Sequence, residues 1–545
     1  LIALFVRHEL SYDRFHEDAD RIHRLVGDYG ETVMPAAPWP VIREIRRRNP
    51  SLTVAPFFET DAVVGHGAQR VNEDQMFVAQ PSFFEVFTFP VRRGTAEAAF
   101  ERPYTAVLAP DKARQYFGAE NPVGQTLRMT GLRGDTTVAV TVTGVLEPIP
   151  DASHFHPEIL VSWATYDAAF DFSEQMRDNW SGGAFRAYLK VPEDAAPAAL
   201  AERFTRQADE RAGPEWTETV PFRLQPLTDI HLYSDLSLEI EPNGSAAHVY
   251  LFGAVALVIL LLAGGNFVNL ALARSVERTQ EVSVRKSIGA TRGQIVRQFL
   301  VEALVLAGGA LVGAVGLAAG GLPFVRAVTG MEGGAGVLAE PFTIAALLGI
   351  TLVAALGSAA YPAFVLSRYE PARVLGGSAP GSTGGVGRRG SRLRRGLVVV
   401  QFAAAVVLGA TAIAAYWQLD HLRGTDLGFD EEQVVTVPMP PAAASEGRSR
   451  AFRRAVADAP GIRAASKASE AVPAALPRNA DFAFAGTRPQ NENLHSLRLV
   501  TVGPSFFETM GIETVAGRTF SPRRPADSAA VVVNRAALER LAQDL

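Results

Sequence analysis

The sequence predicts an α-helical membrane protein with inserted α+β extracytoplasmic domains, built as two tandem halves of which the second is truncated. Two observations lead to this fold class: long uncharged apolar stretches, and segments that recur at a nearly constant spacing. The pentapeptide "PSFFE" occurs at Pro81–Glu85 and at Pro504–Glu508, and "LSYD" at Leu10–Asp13 resembles "LGFD" at Leu427–Asp430. The offsets are 423 and 417 residues, so we predict a duplicated unit of roughly 420 residues.

Four apolar stretches without a charged residue are long enough to cross a membrane. Each exceeds the roughly 20 residues that a helix needs to span the hydrocarbon core. The alternative, four buried helices of a large soluble domain, would require helices that are apolar on every side four times over. We therefore predict transmembrane helices at residues 249–273, 303–325, 341–367 and 396–419, with residues 1–6 as the end of a further, truncated transmembrane helix.

The positive charges between these stretches predict their orientation. Residues 274–298 carry six Lys or Arg against two acids, and residues 368–395 carry seven against one. Because Lys and Arg concentrate in cytoplasmic loops, we expect a cytoplasmic coupling region at 274–298 and a cytoplasmic basic linker at 368–395. Residues 7–247 then form an extracytoplasmic domain, and residues 420–545 form an incomplete second one.

Residues 7–247 mix strand and helix patterns. "DTTVAVTVTGV" at Asp135–Val145 alternates as a strand does, and "APDKARQYFG" at Ala109–Gly118 is typical of a short helix. "HFH" at His154–His156 places two imidazoles near Asp151, a pattern compatible with a metal, but no third ligand is evident. The commoner alternative is a pair of surface histidines. We expect no catalytic residue, no cofactor and no metal here.

Composition narrows the possible partners. The net charge of −5 indicates no nucleic-acid partner. The chain contains no cysteine, which excludes disulfides and thiolate metal sites within it. It also lacks the G-x-x-x-x-G-K-[ST] phosphate loop, so no ATP-binding motif of that kind is present.

The most specific local pattern lies between the first and second apolar stretches. Residues 279–288 favour a helix that ends at a Gly, and Thr291 with Gln294 forms a capping box that begins the next helix. We predict a short amphipathic helix that lies along the membrane surface and docks on a cytoplasmic partner; an ordinary positively charged linker is the alternative. The residues expected to serve this contact are Glu281, Val282, Arg285, Lys286, Ile288, Gly289 and Thr291.

Polar and small residues within the apolar stretches predict helix contacts. Asn266 and Asn269 lie one turn apart, and we expect them to form interhelical hydrogen bonds rather than a transport site. Gly309-x-x-x-Gly313 forms a small-residue face that lets helices approach closely. The alternative is that Gly is simply common in membrane helices.

Four passages carry a resemblance to a known family. The passages are "FVRHELSYDRFHEDADRIHRL" (Phe5–Leu25), "LQPLTDIHLYSD" (Leu224–Asp235), "RTQEVSVRKSIGATRGQIVRQFLVEA" (Arg278–Ala303) and "AAYPAFVLSRYEPARVLGG" (Ala359–Gly377). Together they resemble the FtsX-like/MacB-type ABC transporter permeases over nearly the whole chain.

This resemblance implies a permease subunit of the bacterial inner membrane, multi-pass, with large periplasmic domains. A separate cytoplasmic ABC ATPase would dock on residues 274–298, and ATP hydrolysis would move the periplasmic domains for export, efflux, lipoprotein or envelope-related work. Membrane lipid and a periplasmic adaptor are the other implied partners. A membrane-anchored extracytoplasmic sensor without transport activity is the alternative. A membrane-bound hydrolase would need a nucleophile and a base, and the sequence offers no such set.

Overall fold

The computed structural model of the protein shows a sheet-based domain, a group of long helices and a smaller second region. Residues 367–385 of the predicted basic linker lie outside the described part of the chain. The described residues are 2–30, 32–95, 100, 102–134, 136–180, 185–212, 220–236, 238–329, 338–366, 386–430, 433–437, 439, 446–469, 478–482 and 495–542.

The first domain is built on a mixed sheet of eleven strands. The main path runs in the order β11-β1-β10-β3-β4-β9-β6-β8-β5, while β2 pairs with β1 and β7 joins β3 to β8. The strands are β1 Ile22–Asp28, β2 Val33–Met34, β3 Thr53–His66, β4 Gln69–Ala79, β5 Val91–Gly94, β6 Thr105–Leu108, β7 Thr126–Thr130, β8 Thr137–Leu146, β9 Ile159–Ser162, β10 Arg186–Lys190 and β11 Phe222–Pro226.

Burial along the strands follows their place in the sheet. Strand β8 alternates between exposed and buried residues over its first half, as its sequence predicts. Strands β6 and β9 lie in the middle of the sheet and are buried at every position. Each of these two has one parallel neighbour, because β6 pairs with β8 and β9 pairs with β4 in parallel. This is the burial pattern of strands covered on both faces.

Short helices cover both faces of the sheet. On one face Ile42 and Phe204 belong to a mixed aliphatic and aromatic core. On the other face a phenylalanine-rich core contains Phe83, Phe155 and Ile230. The helices of the domain are α1 Ile2–Glu9, α2 Trp39–Arg48, α3 Ser82–Val86, α4 Pro110–Phe117, α5 Trp163–Phe170, α6 Phe172–Gln175, α7 Pro197–Arg211 and α8 Ile230–Tyr233.

Four long helices follow: α9 Ala246–Ser287, α10 Arg292–Thr329, α11 Pro341–Leu366 and α12 Val386–Arg423. Three of them contain segments long and apolar enough to cross a membrane, at Ala246–Asn266, Arg292–Phe324 and Val398–Arg423. In α11 the described apolar segment, Pro341–Leu356, is shorter. Helix α11 packs against α9 and α10, while α1 and α12 each contact α9.

Helix α9 differs from the prediction. We expected a transmembrane helix followed by a separate amphipathic helix along the membrane surface, but the structure has one unbroken helix of 42 residues. Residues 266–287 contain neither Gly nor Pro, so nothing in the backbone ends the helix there. The expected break comes only after Ser287. The segment around Glu281 therefore continues the axis of the apolar segment.

The region after α12 is sparsely packed. It contains α13 Glu446–Ala457, the antiparallel pair β12 Arg478–Phe482 and β13 His495–Leu499, α14 Phe506–Thr509 and α15 Arg535–Ala542. The two "PSFFE" segments both begin a short helix, α3 and α14. However, Phe83 is fully buried, whereas Phe506 and Phe507 are only half-buried.

Candidate coupling sites

The turn between α9 and α10 has the conformation that its sequence predicts. Gly289 adopts φ +104°, a left-handed value that an L side chain rarely adopts. The amide of Thr291 donates to Oε1 of Gln294 at 2.9 Å, and the amide of Gln294 donates to Oγ1 of Thr291 at 3.4 Å. This is the predicted capping box, and it begins α10 directly after the break.

Side chains on both sides of this turn pack against each other. Nη2 of Arg285 lies 2.6 Å from Oε1 of Glu281, and Arg285 also donates to Gln298. Val282 is only 4% exposed and lies with Ile295 in the angle between the helices. Val282 therefore stabilises the turn itself instead of forming an outer apolar surface.

The outward surface of the turn is formed by other residues. Ile288 is 81% exposed, and Glu281 and Arg285 are also exposed. Lys286 is half-buried. Of the two apolar residues expected to contact a partner, only Ile288 faces outward.

The predicted contacts within the apolar segments are present only in part. Nδ2 of Asn269 donates to Oε1 of Gln401 at 3.1 Å, which links α9 to α12. Asn266 is exposed, and the structure shows no interhelical hydrogen bond from it among the described residues, so its expected contact stays a prediction. A methyl group added at Gly309 or Gly313 would meet no described atom within 4 Å. The close helix packing expected at this glycine face is therefore not seen among the described residues.

A junction at the base of the first domain, which the sequence did not reveal, joins α1 to the segment that precedes α9. Nε2 of His231 in α8 donates to Oε2 of Glu9 at 3.0 Å. The ring of Tyr12 is stacked on the same imidazole, with centroids 3.3 Å apart. Gly244 fits against this pair, since a Cβ there would lie 2.6 Å from Nε2 of His231. We call Glu9, Tyr12, His231 and Gly244 the membrane-proximal junction.

The end of α1 also contacts the start of α11. Arg7 forms an ion pair with Glu340 and donates to Oγ1 of Thr343 at 3.2 Å. Its guanidinium lies 4.8 Å from the ring centroid of Phe342, a cation–π distance. Three contacts from one side chain thus connect α1 to α11 directly.

A buried polar chain connects the junction to the sheet. Nδ1 of His154 donates to Oδ1 of Asp13 at 2.8 Å, and Nε2 of the same ring lies 2.8 Å from the Tyr188 hydroxyl. Burial raises the pKa of Tyr188 to about 12, so the hydroxyl keeps its proton at neutral pH. Burial alone would raise the pKa of Asp13, but the charge and hydrogen bonds of His154 outweigh it and lower that pKa.

Arg24 continues this chain toward α9. Its guanidinium donates to both carboxylate oxygens of Glu239, at 2.5 and 2.6 Å, and to Oγ of Ser234 at 2.7 Å. Arg24 is almost fully buried in β1, and such a bidentate pair restricts the orientation of both side chains. The segment between α8 and α9 is therefore attached to the sheet.

The two histidines of the "HFH" motif have separate partners. His154 is buried, contrary to the interpretation as a surface residue, whereas Nδ1 of His156 lies 2.9 Å from Oε1 of Glu241. Burial alone would lower the pKa of His156, but the hydrogen bond and charge of Glu241 outweigh it and raise that pKa. Among the described residues, no group of three His, Asp or Glu side chains is placed to hold a metal ion.

A mixed-sheet domain joined by polar contacts to helices of membrane length defines a membrane protein with an extracytoplasmic domain. Comparison with protein-family models matches residues 1–207 to the MacB-like periplasmic core domain and residues 253–371 to the FtsX-like permease C-terminal family. Residues 1–207 thus carry a MacB-like periplasmic core domain and residues 253–371 an FtsX-like permease domain, the pair of domains typical of the FtsX-like/MacB-type family of ABC transporter permeases. Members of this family are permease components of ABC transporters, and the family is not one of catalytic enzymes.

Several known proteins are similar to parts of the chain. The uncharacterized ABC transporter permease YknZ of Bacillus subtilis is 46% identical over 81 residues, 15% of this chain and 20% of its own. The macrolide export ATP-binding/permease protein MacB of Rhodopirellula baltica is 27% identical over 312 residues, 52% of this chain and 42% of its own. The chain thus spans between about a fifth and two fifths of these relatives.

A solved structure that resembles part of the chain is the periplasmic region of MacB from Actinobacillus actinomycetemcomitans. It covers 39% of this chain and 91% of its own length, with 13% identity and a TM-score of 0.28. The family matches and the apolar helices together indicate an inner-membrane protein with a periplasmic domain.

Proposed function

We propose that the protein is the permease subunit of an ABC transporter, in which ATP hydrolysis by a separate cytoplasmic ATPase moves the periplasmic domain. One observation carries this proposal. Helix α9 begins beside the membrane-proximal junction and runs unbroken for 42 residues to the turn at Gly289. A continuous helix transmits a displacement at one end to the other end, because its backbone hydrogen bonds resist bending.

The ATPase would bind at the α9–α10 turn. The capping box and the buried Val282 hold this turn rigidly, and Ile288, Glu281 and Arg285 lie on its surface. The chain has no phosphate loop of its own, whereas the relatives named MacB are ATP-binding/permease proteins. We propose a multi-pass arrangement with this turn in the cytoplasm.

Two tandem halves form part of the same proposal, supported by matching local contacts. The rings of Phe83 and Phe84 are 5.5 Å apart at 84°, and those of Phe506 and Phe507 are 5.7 Å apart at 88°.

A further pair of segments agrees in order. Helix α4 follows the apolar residues Ala106–Leu108, and α15 follows Val531–Val533, each after one intervening residue. Val531–Val533 are exposed, whereas Ala106–Leu108 are buried between two neighbouring strands. We propose that Val531–Val533 correspond to strand β6 of the first domain.

Charge reversal at the turn tests the coupling. The double variant Glu281→Arg with Arg285→Glu keeps an ion pair within the helix. It exchanges the positive and the negative charge on the surface that a partner would contact. It should lower the stimulation of ATP hydrolysis severalfold, since like charges across an interface repel. The measurement uses the full chain in liposomes with the ABC ATPase that co-purifies with it. Full stimulation by the double variant would place the contact elsewhere.

Gly289 offers a second variant with a matched control. A Val in place of Gly289 would have to adopt the left-handed φ of +104°, whereas the backbone at Gly293 is not left-handed and accepts a side chain. Gly289→Val should uncouple hydrolysis, and Gly293→Val should have a much smaller effect. We propose that the coupled motion serves export, lipoprotein or envelope-related work, with a periplasmic adaptor as a further partner. A sensor without transport activity would stimulate no ATPase in either form.

A further inference from the structure

Tyr233, the last residue of α8, points away from the domain. It is 58% exposed, while the three preceding residues of the helix, Ile230, His231 and Leu232, are buried. A large aromatic side chain is thus presented outward by a helix that is otherwise part of the core.

The position of Tyr233 relative to the membrane follows from one contact. Its hydroxyl lies 3.2 Å from the hydroxyl of Tyr250, and Tyr250 is the fifth residue of the apolar segment Ala246–Asn266. The uncharged apolar stretch of this helix runs from residue 249 to residue 273, and at about 1.5 Å per residue it is long enough to cross the hydrocarbon core of about 30 Å. Tyr250 is the second residue of this stretch, so it lies at the outer edge of the hydrocarbon.

Neighbouring side chains lie in the same layer. The rings of Phe5 in α1 and Phe252 in α9 are 5.3 Å apart. Leu10 directly follows α1 and is 49% exposed. Since α1 rises about 1.5 Å per residue, Leu10 lies about 8 Å further toward the domain than Phe5. Phe252 lies about 5 Å inside the start of the uncharged stretch at residue 249, which places Leu10 in the headgroup layer, about 5–8 Å deep on each side.

We propose that the periplasmic domain rests directly on the outer leaflet of the inner membrane, with Tyr233 and Leu10 in contact with phospholipid. Tyrosine suits this position because its ring is apolar and its hydroxyl can remain hydrated. Phospholipid is the partner that fits this exposed surface, since Tyr233 is hydrogen-bonded to Tyr250, a residue of the membrane segment. The inference needs only that Ala246–Asn266 crosses the membrane, and it does not depend on an ATPase.

Nitroxide labels on single cysteines test this contact. The natural chain contains no cysteine, so Tyr233→Cys and Leu10→Cys each carry one label. Glu202→Cys is the matched control, because Glu202 is exposed on α7, which covers the opposite face of the sheet. The full chain is reconstituted in vesicles of phosphatidylethanolamine and phosphatidylglycerol. Collisions of each label with oxygen, which favours lipid, and with a water-soluble nickel chelate are then measured.

We expect the ratio of oxygen to nickel collisions to be severalfold higher at positions 233 and 10 than at 202. A ratio at 233 equal to that at 202 would show that the domain stands clear of the membrane and would overturn the proposal. Protection of position 233 from both reagents would also overturn it, because a protein neighbour would then cover α8. Folding of Tyr233→Cys is judged by size-exclusion chromatography. If this variant fails to fold, the collision ratio of Leu10→Cys, compared with that of Glu202→Cys, tests the proposal by itself.

Discussion

His231 donates a hydrogen bond to Glu9 at 3.0 Å although 222 residues separate them in the chain. Glu9 is the last residue of α1, and His231 lies in α8, shortly before α9 begins. Both side chains are mostly buried. The contact therefore fixes the two ends of the periplasmic domain to each other, so that α1 and α9 meet the domain at one place.

Loss of the Glu9 carboxylate should weaken this junction. Glu9→Gln removes the charged acceptor while it keeps the shape of the side chain, and hydrogen bonds to charged groups contribute about 1.5–3 kcal/mol. We expect the free energy of unfolding of the domain to decrease by an amount within that range, as measured by thermal unfolding in detergent. Glu17→Gln is the control, since Glu17 is exposed. Equal stability of both variants would contradict this role for Glu9.

Gly244 should be far more sensitive than a nearby helical glycine. In Gly244→Ala the new methyl group would lie 2.6 Å from Nε2 of His231 and 2.7 Å from Oε2 of Glu9, so their hydrogen bond has to open. Gly253→Ala in α9 meets nothing within 4 Å among the described atoms and should stabilise the helix by up to about 1 kcal/mol. Unfolding curves of the two variants should shift in opposite directions.

Acid should destabilise the domain through His16. This residue is buried, and burial lowers its pKa to about 4 from an ordinary value of 6.5. A buried base with a lowered pKa contributes its full stability above pH 6.5, and this contribution is lost as the pH falls toward 4. At 1.36 kcal/mol per pKa unit, the loss is at most about 3 kcal/mol.

Removal of the titrating ring should flatten this dependence. His16→Asn keeps an acceptor for the Thr88 amide, which now donates to Nδ1 of His16 at 3.0 Å. His156 makes a contrasting control, because its pKa is raised and its contribution is present below pH 6.5 and lost at higher pH. His156→Gln should therefore lower stability only in acid. An unchanged acid slope in His16→Asn would contradict the assignment.

The contact between Asn269 and Gln401 should stabilise the helix group. Interhelical hydrogen bonds in membranes are worth roughly 0.5–2 kcal/mol, so Asn269→Leu should lower resistance to unfolding by dodecyl sulfate by about that amount. Asn266→Leu serves as the control, because Asn266 is exposed and makes no such link in the described structure. We expect this second change to be neutral or stabilising.

The orientation of the chain can be tested with cysteines at two exposed positions. Glu202→Cys in the first domain should react with a membrane-impermeant thiol reagent in cells whose outer membrane has been made permeable. Ser287→Cys at the end of α9 should react only after the inner membrane is opened. Labelling of Ser287→Cys in intact cells would place the α9–α10 turn outside and would refute the proposed topology.

Local patterns were sufficient to predict the α9–α10 turn. Gly289 and the pair Thr291 and Gln294 act over a few residues, and a left-handed Gly followed by a capping box has one common geometry. The length of α9 was harder to predict. The change from apolar to charged residues marks the edge of a membrane segment, but it does not end the helix, because residues 266–287 contain neither Gly nor Pro.

The membrane-proximal junction could not be predicted from sequence for a different reason. Its members come from positions 9, 12, 231 and 244, and only the folded sheet brings them together. The burial of His154 depends in the same way on Tyr188 in β10 and on Asp13 after α1. Short motifs such as "HFH" indicate which side chains are present but not which distant groups satisfy them.

The length of α9 would set how a movement at the turn reaches the periplasmic domain in the proposed coupling. Its 42 residues extend about 63 Å, and about a third of that length lies beyond the uncharged apolar stretch, which ends before Arg274. If α9 tilts by about 10° as a rigid rod about the middle of that stretch, Ser287 moves by about 7 Å and Ala246 by about 4 Å in the opposite direction. A displacement of atomic size at the cytoplasmic end of the rod would therefore shift the base of the periplasmic domain, and a displacement of that base would move the turn in the same way.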